Sequence, residues 1–409
     1  MSSGTGDSEG STPAGSSDPS VDAAMRVLMR GAAQVVSEGE LRRKLARGKP
    51  LRVKLGVDPT APDIHLGHAV ALQKLRQFQQ LGHQVVLIIG DFTAQIGDPS
   101  GRNSTRPPLT HEEVTANART FTDQAFLILD RDRTEVVYNG EWFGRMNFID
   151  IIRLNSSVTL QQMLQREDFK NRVAAGQEVR LHEIQYPVMQ GWDSVEVRAD
   201  VEIGGSDQLF NILVGRDLQK ANGMEPQVVL TMPLLEGLDG VKKMSKSLNN
   251  YIGLTEPPEE MFGKAMSLSD EMMPRYYQLT LGRDMPEGLH PMEAKKQLAA
   301  GLVEMYHDAA AAVTARGKWE ARFSQRDLAV DAPELAVEAG SGLLTVVLRA
   351  FREGHGVEKS SSEARRLVLQ GSVQWEGDKV TDVKATPDWG AGGILKLDKR
   401  RSVRVTAAK

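Results

Sequence analysis

The sequence predicts an α/β protein: a Rossmann-like parallel-sheet domain, then an α-helical domain and a small α+β domain. Three observations carry that prediction. Apolar strand patterns at Val53, Leu55 and Val57, and at residues 85–89, 201–203 and 228–231, stand between stretches with helical spacing. Glycine-bearing turns follow these strands, at Gly67, Gly90 and Gly204-Gly205. Residues 256–326 keep helical spacing without a strand pattern, and hairpin patterns return only beyond residue 341.

Composition narrows the class. The chain has 409 residues, 25% charged and 40% hydrophobic, which suits a soluble protein of two or three domains. It has no cysteine, which excludes disulfides and thiolate catalysis. No apolar run approaches the roughly 20 residues that span a bilayer, and no signal-peptide core precedes the first domain. A cytoplasmic protein without membrane contact is expected. Net charge is −4, but it is unevenly spread. Residues 341–409 hold 13 Lys and Arg against 8 Asp and Glu, or +5, leaving −9 for the rest. A basic terminal module on an acidic body suggests a nucleic-acid contact.

The elements follow in order. Residues 1–22 are rich in Ser, Gly and Pro and read as a disordered tail. Residues 23–255 form the sheet domain, beginning with helical spacing to about residue 49, where Leu41 and Leu45 stand four apart. Val53, Leu55 and Val57 alternate with Lys54, Gly56 and Asp58 as a strand. A Pro-containing turn from Asp58 through Thr60 leads to His65-Leu66-Gly67-His68, where a helix starts. Val70, Leu75, Phe78 and Leu81 mark its apolar side, and Gly82 its stop. The run 85–89 reads as a buried parallel strand. The turn between these strands lies where open α/β sheets bind ligands. A helix start there offers free N–H groups to a phosphate, and two histidines add donors. By itself the pattern also fits two surface histidines at a helix start.

Beyond residue 89 comes a glycine-rich loop with Asp98, either a turn-forming Asp before Pro or a carboxylate for an ammonium. Arg102 and Arg106 are solvated charges or phosphate contacts. A helix is expected over residues 110–130, a strand at 136–138, and one helix from a Thr159/Gln162 capping box to Gly176. Tyr186, Gln190 and Asp193, spaced four and three, share a helix face that suits a small polar ligand or solvent. After the strand at 201–203, Ser206 or Asp207 can cap the next helix. Residues 241–250 carry Lys242, Lys243 and Lys246, a solvated loop or a cationic one that neutralises a departing polyphosphate. Residues 256–326 form the helical domain, 327–340 a linker and 341–409 the α+β module. In that module Ser360 and Glu363 box a helix bearing Arg365 and Arg366, and hairpins turn at Gly377-Asp378 and at 398–401.

His65-Leu66-Gly67-His68 followed by Lys243-Met244-Ser245-Lys246-Ser247 resembles the paired signatures of class I aminoacyl-tRNA synthetases. Gly56-Val57-Asp58-Pro59-Thr60, Gly97-Asp98-Pro99-Ser100 and Gly204-Gly205-Ser206-Asp207-Gln208, with Tyr186, Gln190 and Asp193, look like the tyrosyl-tRNA synthetases. The terminal module resembles the RNA-binding domain of the ribosomal protein S-four family.

The resemblance implies ATP as substrate, with Mg2+ on its phosphates and no protein-bound metal. ATP would meet Asp58, Thr60, His65, Gly67, His68, Gly205, Asp207, Gln208, Lys243 and Lys246. Among these His65, His68, Lys243 and Lys246 are implied to be catalytic, assisted by Arg102 and Arg106. L-Tyrosine would meet Asp98, Tyr186, Gln190 and Gln208, with Asp193 accepting from its phenol. The helical domain would read the anticodon. Arg365, Arg366, Lys399, Arg400 and Arg401 would grip the long variable arm of tyrosine tRNA. A homodimer is implied as well. One position departs from the common bacterial pattern, which has a tyrosine two residues before Gly56 as a second phenol partner. Lys54 stands there, as in the second bacterial subgroup, and its role is left open. The sister tryptophan enzymes and an RNA-binding paralogue without catalysis are the competing expectations.

Overall fold

The computed structural model describes residues 18–60, 63–98, 110–324, 332–398 and 401–408. The chain forms two compact units, Met1–Glu256 with Lys264–Leu298, and Pro257–Gly263 with Ala299–Lys409. This division cuts across the helical stretch 256–326.

The first unit is built on six strands: β1 (Gln34–Val36), β2 (Arg52–Val57), β3 (Gln84–Ile89), β4 (Thr134–Tyr138), β5 (Val201–Gly205) and β6 (Val228–Met232). Their order is β1-β6-β5-β2-β3-β4. All neighbours run parallel except β1, which is antiparallel to β6. The chain winds outward from β2 through β3 to β4, then returns to place β5 on the other side of β2. The switch point therefore lies between β2 and β5, where a crevice opens at the carboxyl ends of the strands.

Several sequence expectations need correction. The first helix, α1 (Pro19–Met29), begins inside the stretch assigned to the tail, because Asp18 accepts from the Ser20 N–H and Pro19 suits the first turn. The helical pattern to residue 49 is interrupted by β1, and only α2 (Glu38–Leu45) follows. A three-residue strand is too short to set a period. Strand β2 forms where the alternation placed it, and Val53, Lys54 and Leu55 in it are all buried. In a parallel sheet both faces are covered. Helix α3 (Leu66–Gln80) buries Val70, Leu75 and Phe78, but Leu81 is its half-exposed C-cap.

Helix α4 (His111–Ala125) starts at a capping box of Thr110 and Glu113. The single helix expected from Thr159 is two, Leu160–Met163 and Glu167–Ala174, parted at Arg166. Thr159 does cap the first, but the Gln162 amide bonds Asp217 instead of closing the box. Helices α5 (Leu181–Glu196) and α6 (Leu209–Ala221) pack closely because Gly191 and Gly215 face one another. A Cβ on Gly191 would meet the Gly215 nitrogen at 3.0 Å.

In the second unit, strands β7 (Glu334–Val337), β8 (Gln374–Trp375), β9 (Asp378–Lys379), β10 (Gly393–Lys396) and β11 (Ser402–Ala407) form a mixed sheet ordered β7-β11-β10-β8-β9. The linker assignment over 327–340 thus misses β7, whose Leu335 and Val337 are buried while its alternate residues are exposed. The β8–β9 turn sits at Glu376-Gly377, both with positive φ, one residue before the expected place. The box at Ser360 and Glu363 starts helix Ser361–Leu369 as expected. Among the described residues no helix is long and apolar enough to cross a membrane.

Candidate active site

A cavity of about 400 Å³ opens at the switch point of the first unit. It is lined from the ends of β2, β3, β4 and β5, from α5, and from the lysine-bearing loop beyond β6. Every residue expected at the ATP and tyrosine sites lines it, apart from Arg102 and Arg106, which lie outside the described residues.

The β2 turn is folded tightly, with the Thr60 N–H donating to the Asp58 carbonyl at 2.7 Å. The Asp58 carboxylate accepts from Thr93 Oγ1 at 2.7 Å and from the Tyr186 hydroxyl at 2.9 Å. This convergence requires glycine at the end of β3: a Cβ on Gly90 would lie 2.1 Å from Asp58 Oδ1. Asp98 accepts from the Gln208 amide at 2.9 Å and faces the buried Arg166 guanidinium at 3.6 Å. The Asn211 amide bonds both Gln190 Oε1 (2.8 Å) and Gln208 Oε1 (3.2 Å). Asp193 is almost fully buried and accepts from the Trp142 indole N–H at 3.0 Å. Burial pushes its carboxyl up to about 7, against the pull of Lys54 and the Trp142 bond. The Tyr186 hydroxyl is pushed well above its usual value by burial and by Asp58 and Asp98.

At the other end, the imidazoles of His65 and His68 stack with centroids 3.9 Å apart. Both are held far below the usual histidine range, His65 at about 2 and His68 at about 4, by burial first. For His65 the neighbouring His68 and then Lys246 add to this; for His68, Lys246 and Lys243 do. Neutral rings at pH 7 carry one N–H each. His68 Nδ1 accepts from the His65 backbone N–H at 3.3 Å, which leaves the proton on Nε2. Gly67 fits because a Cβ there would press on the His65 ring at 3.0 Å.

Lys243 Nζ lies 3.4 Å from Asp207 Oδ2, and Lys246 pairs with Asp63. Asp207 is therefore an ion-pair partner, and neither it nor Ser206 caps the following helix. Asn250 fastens the lysine loop: its amide donates to Asp239 at 2.8 Å and its oxygen accepts from the Ser245 N–H at 2.8 Å. Among the described residues, no group of three or more His, Asp or Glu is placed to hold a metal ion.

In the second unit Arg365 and Arg366 are exposed on their helix. Arg401 is half-buried, paired with Asp398 at 2.9 Å and lying over the Phe351 ring. Lys399 and Arg400 lie outside the described residues.

Sequence reasoning missed Thr93, Asn139, Trp142, Arg166 and Asn211. Asn139 and Trp142 follow β4, so the rule applied to the other strand ends would have reached them. Asn211 stands three residues after Gln208, one helical turn on.

Comparison with known proteins agrees with this geometry. Residues 46–324 match the family model for tRNA synthetases class I (W and Y). The chain is 50% identical over 403 residues to a tyrosine–tRNA ligase of Syntrophotalea carbinolica, covering 94% of this chain and 98% of that protein. It is 47% identical over 399 residues to tyrosine–tRNA ligase 2 of Vibrio vulnificus, covering 95% of this chain and all (100%) of the relative. A tyrosyl-tRNA synthetase structure from Archaeoglobus fulgidus, complexed with L-tyrosine, superposes with a TM-score of 0.59 at 25% identity, over 72% of this chain and 99% of that one. With its parallel sheet, its switch-point cavity and full-length likeness of this order, the chain belongs to the tyrosine–tRNA ligases (EC 6.1.1.1), within the class I aminoacyl-tRNA synthetases.

Proposed function

We propose that the chain activates L-tyrosine with MgATP to tyrosyl-adenylate and pyrophosphate, then transfers tyrosine to the 3′ end of tyrosine tRNA. One observation carries this reading. A single cavity has an acidic, amide-rich end at Asp98, Tyr186, Gln190 and Asp193, and a cationic, imidazole-lined end at His65, His68, Lys243 and Lys246.

Tyrosine lies with its phenol against Asp193 and its ammonium toward Asp98, Tyr186 and Gln190. Its carboxylate attacks the α-phosphorus of ATP, and pyrophosphate leaves. Asp58, Thr60 and Gly67 accommodate the nucleotide on the β2 side, and Gly205, Asp207 and Gln208 face its ribose and the adenylate. The protein forms no covalent bond and contributes by positioning and by stabilising charge. The neutral imidazoles of His65 and His68 donate N–H groups as charge grows on the phosphoryl oxygens. Lys243 and Lys246 exchange Asp207 and Asp63 for the leaving pyrophosphate, with Arg102 and Arg106 assisting. Magnesium enters as part of the nucleotide substrate. Phenylalanine is rejected because it brings no hydroxyl to the buried Asp193 carboxylate, which then lacks the phenol's hydrogen bond.

The helical segment 256–326 reads the anticodon, and the basic module, through Arg365, Arg366, Lys399, Arg400 and Arg401, holds the long variable arm. A cytoplasmic homodimer is the working assembly. The exposed Phe148, Ile149 and Ile152 on helix Phe148–Asn155 offer an apolar face for the second copy. Pyrophosphate exchange that depends on tyrosine, together with charging of tyrosine tRNA, is the expected result. Exchange driven by tryptophan, or tRNA binding without exchange, would overturn the assignment.

A further inference from the structure

A buried ion pair beneath the tyrosine end of the cavity takes no part in the chemistry above. Lys54 on β2 and Glu202 on β5 are direct neighbours across the two central strands, and both are buried. The Lys54 ammonium has three N–H groups, and three acceptors surround it: Glu202 Oε1 at 3.1 Å, Ser194 Oγ at 2.7 Å and the Gln190 carbonyl at 3.0 Å. Glu202 also accepts from Ser194 Oγ at 2.9 Å, from the Gln190 amide at 3.3 Å and from Gln227. The network thus clasps the turn of α5 from Gln190 to Ser194, and Asp193 rides on that turn. Burying such a pair brings little or no net stability over apolar side chains of the same volume. Its place under the phenol end of the cavity supplies another reason for it.

We propose that Lys54 is a positioning residue for tyrosine recognition: its ammonium holds the Gln190–Ser194 turn and lends the buried Asp193 the positive charge it needs to meet the phenol as a carboxylate. With its three N–H groups already engaged, Lys54 makes no bond to the phenol itself. The inference rests on the reading of Asp193 as the phenol acceptor.

The groups facing Asp193 are few. Trp142 and the Asn139 amide approach from beyond β4, Lys54 from β2, Glu202 from β5, and Tyr186 from α5 itself. Burial is the largest influence raising the Asp193 carboxyl, and Lys54 is the largest opposing it, ahead of the Trp142 bond. Glu202 acts in the raising direction. Opposite effects are therefore expected from the two members of one ion pair.

The test is the pH profile of kcat/KM for tyrosine in pyrophosphate exchange by the full chain, which reports ionisations of the free enzyme. The wild type should show an acid limb near pH 7. Lys54→Met should move that limb up by about 1 in pH or more, with KM for tyrosine raised about tenfold at pH 7 and KM for ATP unchanged. Glu202→Gln should move it down. Damage to the scaffold alone lowers kcat/KM at every pH and leaves the limb in place. Limbs that stay put in both variants, or move the same way, overturn the proposal. Where Lys54→Met does not fold, the Lys54→Met/Glu202→Gln double variant has no buried charge left at the pair. Its limb should still rise, and a limb at the wild-type position is again a refutation. Asp193→Asn separates the two layers. Loss of the limb there with no movement in the Lys54 and Glu202 variants overturns this proposal alone. Persistence of the limb in Asp193→Asn overturns the Asp193 assignment and this proposal with it.

Discussion

Replacing Asp193 by Asn should make the protein more stable in neutral and alkaline solution while destroying its preference for tyrosine over phenylalanine. Asp193 is 3% exposed, and burial pushes its carboxyl from 3.8 up to about 7. The unfolded chain releases this proton near the ordinary value; the folded chain keeps it until about pH 7. Between those values the native state binds more protons, so the stability this group contributes is complete below about pH 3.8 and is lost as pH rises through about 7. About 3 pH units at about 1.4 kcal/mol each amount to about 4 kcal/mol. An asparagine has no charge to desolvate, and its oxygen can still accept from Trp142 Nε1. Urea denaturation of both proteins between pH 4 and pH 8 provides the measurement. The stability of Asp193→Asn relative to wild type should grow by about 4 kcal/mol across that range. Parallel pH dependences would refute the placement of a strained carboxylate at the phenol end. In the same variant the kcat/KM ratio of tyrosine to phenylalanine should collapse, because no buried anion then rewards the hydroxyl.

Gly90→Ala drives a methyl group into Asp58 and Thr93. Loss of one bond to the carboxylate costs about 2 kcal/mol, or roughly 30-fold in kcat/KM for pyrophosphate exchange; an unchanged value would contradict the observed packing. Asn250→Ala releases Asp239 and the Ser245 N–H. It should slow adenylate formation by about tenfold or more while tyrosine KM holds, and a selective rise in that KM would count against a role in ordering the lysine loop. Lys246→Ala should likewise slow adenylate formation with tyrosine affinity near normal; loss of tyrosine affinity with an intact activation rate would refute its assignment to pyrophosphate. Removing residues 332–409 should weaken charging of tyrosine tRNA and spare pyrophosphate exchange, and equal loss of both would argue against an RNA role. The cut must precede β7, since truncation at residue 341 would strip the cover from Leu335 and Val337.

The chemistry-bearing stretches were legible because each is local. His65-Leu66-Gly67-His68, the glycines at 204 and 205 and the lysine loop are short segments whose residue types answer to a phosphate directly. The rule that strand ends face ligands places them at one edge. The parallel sheet was legible for the same reason, since runs such as 85–89 bury both faces of one strand and declare it in sequence. Short or edge elements were not: β1 pairs only through β6, and β7 only through β11, so each owes its existence to a distant partner.

Lys54 marks the boundary most sharply. The sequence alone determined that a lysine stands in the first catalytic strand where an acceptor or donor for a phenol would be expected. Only the tertiary structure decided what it touches. Alternation within β2 marks a strand but names no partner; β5 pairs beside it and α5 supplies Gln190 and Ser194, so the ammonium is buried against Glu202, Ser194 and the Gln190 carbonyl. These partners lie some 140 residues away in the chain, and Lys54 and Glu202 pull the Asp193 carboxyl in opposite directions, down and up. Local patterns report what a segment can do. Burial and long-range charge, which set how firmly each group holds its proton, arise only when the strands come together.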